Sequence, residues 1–125
     1  MAQDYRELIV WQKAIELTVL IYKITRSFPQ TEAYGLTSQM RRAGVSIASN
    51  IAEGRGRISG AEFRQFLGIA RGSTCELLTQ IHVARVLSFS TGTQLDEAEY
   101  LGNEVSKILL RFIQTLNSRQ RARTV

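Results

Sequence analysis

Four long segments of this chain place an apolar residue at every third or fourth position, and none alternates with a period of two. Spacing near 3.6 is one side of an α-helix, whereas a half-buried strand needs strict alternation. The first segment, from about Arg6 to Ser27, carries two adjacent stripes. Leu8, Trp11, Ile15, Thr18, Tyr22 and Thr25 form the inner one, and Ala14, Leu17, Ile21, Ile24 and Phe28 the second. Leu36, Met40, Ala43, Ile47 and Ile51 mark the second segment, and Phe63, Phe66, Leu67, Ala70, Thr74, Leu77, Leu78, Ile81 and Ala84 the third. The fourth has Leu95, Ala98, Leu101, Val105, Ile108, Leu109, Phe112 and Leu116. Helices of this kind bury their stripes against one another, which predicts an all-α, antiparallel up-and-down four-helix bundle.

Punctuation agrees with four helices. Asp4 and Glu7 suit a helix start, and Phe28-Pro29 ends the first helix, because proline disfavours helical geometry in the residue before it. The second helix is expected to stop near Glu53, with Gly54 as a left-handed cap and GRGRISG as connector. Ser59 with Glu62 reads as a capping box opening helix three, and SFSTGT at 88–93 as the next turn. Residues 1–118 then form the bundle and 119–125 a basic, disordered tail. Gly68 and Gly72 have the spacing of a close helix crossing.

Helix one is too apolar for one face. Ile9, Val10, Val19 and Leu20 widen its two stripes beyond the ~100° that a core requires, so its second stripe is expected to meet another subunit.

The net charge of +5 is local. Residues 36–73 carry Arg41, Arg42, Arg55, Arg57, Arg64 and Arg71 against Glu53 and Glu62, and Arg119, Arg121 and Arg123 make the tail basic. Arginine outnumbers lysine heavily, and its planar fork pairs bidentately with phosphate and carboxylate. Gly54-Arg55-Gly56-Arg57 is no dinucleotide fingerprint, since no strand precedes it. It reads as an arginine loop whose glycines permit close approach to a phosphate backbone. The aromatics do not offer a stacking platform, because Trp11, Phe63, Phe66 and Phe112 fall on inner stripes. Nucleic-acid contact is therefore expected through backbone charge and shape.

Little points to catalysis. Cys75 is the single cysteine and His82 the single histidine, with no carboxylates at ligand spacing, no HExxH and no P-loop. No enzymatic activity and no cofactor or metal are expected. One cysteine fits a reducing compartment, no signal peptide is legible, and no apolar run nears the ~20 residues of a membrane span, which together predict a cytoplasmic protein.

Three stretches, LIVWQKAIEL at 8–17, FPQTEAYGLTSQMRRAGVSIASNIAEG at 28–54 and EFRQFLGIARGSTCEL at 62–77, resemble a known family. It comprises four-helix-bundle proteins encoded in intervening sequences of bacterial large-subunit ribosomal RNA genes. Its members are similar to the accessory subunit of diversity-generating retroelements, a barrel-like homopentamer that binds nucleic acid and a reverse transcriptase. The resemblance implies a homopentamer here, with nucleic acid and a reverse transcriptase or other nucleoprotein as partners. It brings no catalytic residues. Ala48 stands where the family often has proline, and Gly44 where it has alanine, which implies a straighter second helix.

The expected function is a non-enzymatic, homo-oligomeric binder of RNA or DNA backbone. Arg41, Arg42, Arg55, Arg57 and Arg71 are the expected phosphate contacts, assisted by Arg119, Arg121 and Arg123. Trp11, Asn50 and Glu53 are expected in oligomer or structural roles. The competing reading is a structural or protein-interaction module whose arginines, Arg41 and Arg42 above all, make salt bridges between subunits. On the glycine connector, Arg55 and Arg57 are expected to be the freer pair.

Overall fold

A computed structural model describes residues 4–124, with side chains through Ala122. A 3-10 turn, Tyr5–Glu7, precedes α1, Ile9–Thr25, and a second, Gln30–Glu32, precedes α2, Leu36–Arg55. Then come α3, Gly60–Val86, and α4, Gly92–Thr124; the described residues contain no strand. α1 and α3 each pack between α2 and α4, so the four helices enclose one core. Leu17, Ile21, Ile24, Met40, Ile47, Ile51, Leu67, Leu77, Ile81, Leu95 and Leu109 are among its largest wholly buried side chains.

Between its buried ends, Leu8 and Thr25, the stripe of α1 expected to be inner faces outward. Ala14, Leu17, Ile21, Ile24 and Phe28 are the core, while Ile15 and Tyr22 are exposed and Trp11 is half-buried. Spacing that alternates between three and four in each stripe fits a core equally well, so only the placement of α2 and α4 decides between them. Asp4 caps the first 3-10 turn, accepting from the Arg6 backbone N–H at 2.8 Å, and α1 begins later without a side-chain cap. The Arg6 guanidinium also holds the exposed Asp4 carboxyl below its ordinary value.

Gly54 does not cap α2. The helix runs on to Arg55, Gly56 takes the cap position with φ −81°, and no described glycine has positive φ. Gly54 is buried instead against α3, where a Cβ would meet Phe66 Cβ at 2.6 Å and Phe63 Cδ1 at 3.1 Å. The close crossing expected of Gly68 and Gly72 lies elsewhere, since a Cβ at either meets nothing within 4 Å. Among the described residues, the one left-handed residue is Ser88, φ 57°, where the Phe89 N–H donates back to Ala84 O at 3.0 Å in a Schellman closure of α3.

α4 continues as helix through 119–124, where a disordered tail was expected. At 1.5 Å per residue it is roughly twice the length of α1, and residues 117–122 are all exposed. Among the described residues, no helix is long and apolar enough to cross a membrane.

Gly54→Ala should destabilise the fold by about 2 kcal/mol, because overpacking of about 3 kcal/mol outweighs roughly 1 kcal/mol gained in helix propensity. Gly68→Ala, in open space, should stabilise by about 1 kcal/mol. Urea midpoints of the two variants check both signs.

Candidate nucleic-acid interface

Three walls of a pocket meet at the end of the molecule where α2 stops and α3 starts. Close packing at Gly54 brings Phe63 and Phe66 beneath the last turn of α2. Arg55 then lies over the Phe63 ring at 5.6 Å and Arg57 over the Phe66 ring at 4.8 Å. Phe63 meets Phe112 of α4 edge-on at 5.2 Å, which brings the C-terminal half of α4 alongside. The resulting pocket of about 510 Å³ has Arg55, Arg57, Arg64 and Arg119 around a floor of Leu8, Phe63, Phe112 and Leu116. Among the described residues, no carboxylate lines it.

Arg57 is not the freer arginine expected of a glycine connector. Its guanidinium donates to Glu53 Oε1 at 2.7 Å and lies 3.8 Å from Glu62 Oε2, so two carboxylates orient it. Glu62 is also the capping-box residue: its N–H donates to Ser59 Oγ at 3.2 Å. Glu53 thus pairs with Arg57 within one subunit.

Arg41 is occupied too. Nε donates to Thr25 Oγ1 at 2.9 Å, Nη2 reaches Tyr22 O at 3.4 Å, and the guanidinium stacks on Tyr22 at 4.6 Å. It ties α2 to the end of α1. Arg42, next in sequence, is exposed; it borders a shallow groove with Gln39, Ser46, Ser73 and Glu76, and shares a second with Arg41, Tyr22 and Val45. Asn50 completes that side: its Nδ2 donates to Ser46 O at 2.8 Å, and Ser46 Oγ meets Ser73 Oγ at 2.9 Å across to α3. Trp11 stacks edge-on with Tyr5 at 5.3 Å, beside Ile15, Val45 and Ala48.

Arg71 stands apart from the pocket, half-buried, with a buried Nε that has no partner among the described atoms. Arg121 is exposed on α4, and the side chain of Arg123 lies outside the described residues. The predicted cluster thus splits: Arg55, Arg57 and Arg119 converge, and Arg41, Arg42 and Arg71 do not join them. Arg64 is the member that sequence reading missed. It counted only toward the charge excess, although its place in the first turns of α3 beside Phe63 puts it next to the connector.

Exposed tyrosines were missed as well: Tyr34 is 100% exposed and Tyr100 66%. Cys75 and His82 are both exposed on α3.

Arg41→Ala should lower stability by about 1–2 kcal/mol through loss of the Thr25 bond and the ring contact, whereas Arg42→Ala should stay within about 0.5 kcal/mol of the parent. Thermal melts distinguish the two.

Comparison with known proteins places this geometry. A crystal structure at 1.70 Å of a protein of unknown function from the S23 ribosomal protein family of Bacteroides thetaiotaomicron is similar, with a TM-score of 0.76. The two chains share 26% identity, covering 84% of this chain and 98% of that one. Nothing among curated proteins matches the chain. Residues 6–111 match the 23S rRNA-intervening sequence protein family, a span that takes in α1, α2, α3 and most of α4, and the chain belongs to that family.

Proposed function

We propose that the protein is a non-enzymatic, cytoplasmic nucleic-acid binder, assembled as a homopentamer of antiparallel four-helix bundles, that grips RNA or DNA backbone through arginine. The observation that carries this reading is the pocket rimmed by Arg55, Arg57, Arg64 and Arg119, with no carboxylate lining it among the described residues. Charge concentrated in that way attracts polyanions from a distance and pairs with phosphate on contact. Assembly is supported by apolar surface left uncovered on the outer side of α1 and its neighbours: Ile9, Ile15, Val19, Val45 and Tyr100. Exposed apolar surface of this kind favours burial against another copy, and a closed ring uses two different patches of each copy.

Salt titration of RNA and DNA binding tests the first part. If each of five subunits neutralises about two phosphates, log affinity falls against log salt with a slope near −9. Absence of binding at low salt, or an affinity that ignores salt, defeats the proposal. Arg42→Ala serves as the comparison: a changed oligomer mass with unchanged affinity points instead to arginines that join subunits.

Native mass measurement tests the second part. Ile15→Glu puts a charge in the exposed apolar surface and should reduce the pentamer to a folded monomer.

A further inference from the structure

We infer that the pocket at the α2–α3 end receives a terminal phosphate monoester of a nucleic-acid chain, with the terminal nucleotide resting against the partly exposed Phe112 and Leu116. The inference builds on the proposed nucleic-acid binding and names which part of the polymer this site takes.

An internal phosphodiester carries one negative charge and continues in both directions, which suits an open stripe of cations. A terminal monoester carries ~−1.5 to −2 at pH 7 and three strong acceptor oxygens, and its chain leaves from one side only. The pocket matches the second description. It is concave, walled by Leu8, the connector at Arg57–Gly60, α3 and the C-terminal part of α4. Its volume of about 510 Å³ lies within the ~300–1,000 Å³ of small-ligand sites.

Among the described residues, the carboxylates beside the site are already engaged. Glu53 and Glu62 both spend their carboxylates on Arg57. Arg64 is half-buried, faces the pocket, and has no hydrogen bond or ion pair among the described residues. A guanidinium fork held there without a carboxylate is matched by two oxygens of one phosphate. Gly60, the first residue of the 27-residue helix α3, also lines the pocket, so the positive end of a long helix dipole points the same way. Apolar floor beneath a charged rim is what a nucleotide presents in reverse: a base to bury and a phosphate to pair.

The test compares one short single-stranded RNA carrying a 5′-phosphate, a 3′-phosphate or only hydroxyl ends, with adenosine monophosphate as free competitor. The full-length protein should bind a phosphorylated end about tenfold more tightly, the effect of one or two charge-assisted bonds. Arg64→Gln and Arg119→Gln should abolish that preference, while Arg111→Gln, outside the pocket, should preserve it. Circular dichroism and native mass confirm that each variant is folded and assembled. Equal affinity for all three RNAs with a steep salt slope overturns this inference and leaves backbone binding standing. A preference that survives both pocket variants overturns it as well. Binding of adenosine monophosphate that Arg64→Gln abolishes, without RNA binding, supports the phosphate site, assigns it to free nucleotides and defeats the polymer reading.

Discussion

The close approach of α2 to α3 at Gly54 governs the geometry of the basic end of the molecule. With no Cβ at that position, Phe63 and Phe66 lie directly under the last turn of α2. Their rings then become the surfaces on which Arg55 and Arg57 rest, and Phe63 becomes the edge against which Phe112 docks. A methyl group there would push the helices apart and open all three contacts together. Ser46 and Ser73 support the same pairing further along the helices through their hydroxyl contact.

Arginine in this protein serves two distinct purposes, and burial and partners separate them. Arg41, Arg57 and Arg85 are internal ties, held by Thr25 and Tyr22, by Glu53 and Glu62, and by Asp96 and Glu99 respectively. Arg41 and Arg57 are oriented by hydrogen bonds within the subunit, whereas Arg85 Nη2 is buried 3.7 Å from Glu99 without a hydrogen bond. Arg42 and Arg64 have no such partner among the described residues, and they face outward or into the pocket. A guanidinium is the group best able to do either job, because the same planar fork fits carboxylate, carbonyl and phosphate.

Helix existence was readable from spacing alone because each helix buries a continuous stripe. Which stripe of α1 is buried was not readable, since Trp11, Ile15 and Tyr22 repeat as regularly as Ala14, Leu17 and Ile21. Glycine was misread for a related reason. Gly54 precedes a run of turn-forming residues and suits a cap, yet it is placed by the bulk of Phe66 on another helix. Gly68 and Gly72 have packing spacing but face open space. The basic cluster itself was visible as a local charge excess, but its convergence on Phe63 and Phe112 was not.

Sequence by itself determined the fold class, the number of helices, the family and the concentration of arginine between residues 36 and 73, because periodicity, motif and charge are properties of neighbouring positions. Tertiary structure alone decided which arginines are spent and which remain available. That choice depends on partners distant in the chain: Thr25 for Arg41, and Leu116 and Arg119 for the pocket that Arg64 enters. Residues four apart on one helix always share a face, whereas residues fifty apart meet only when packing brings them together.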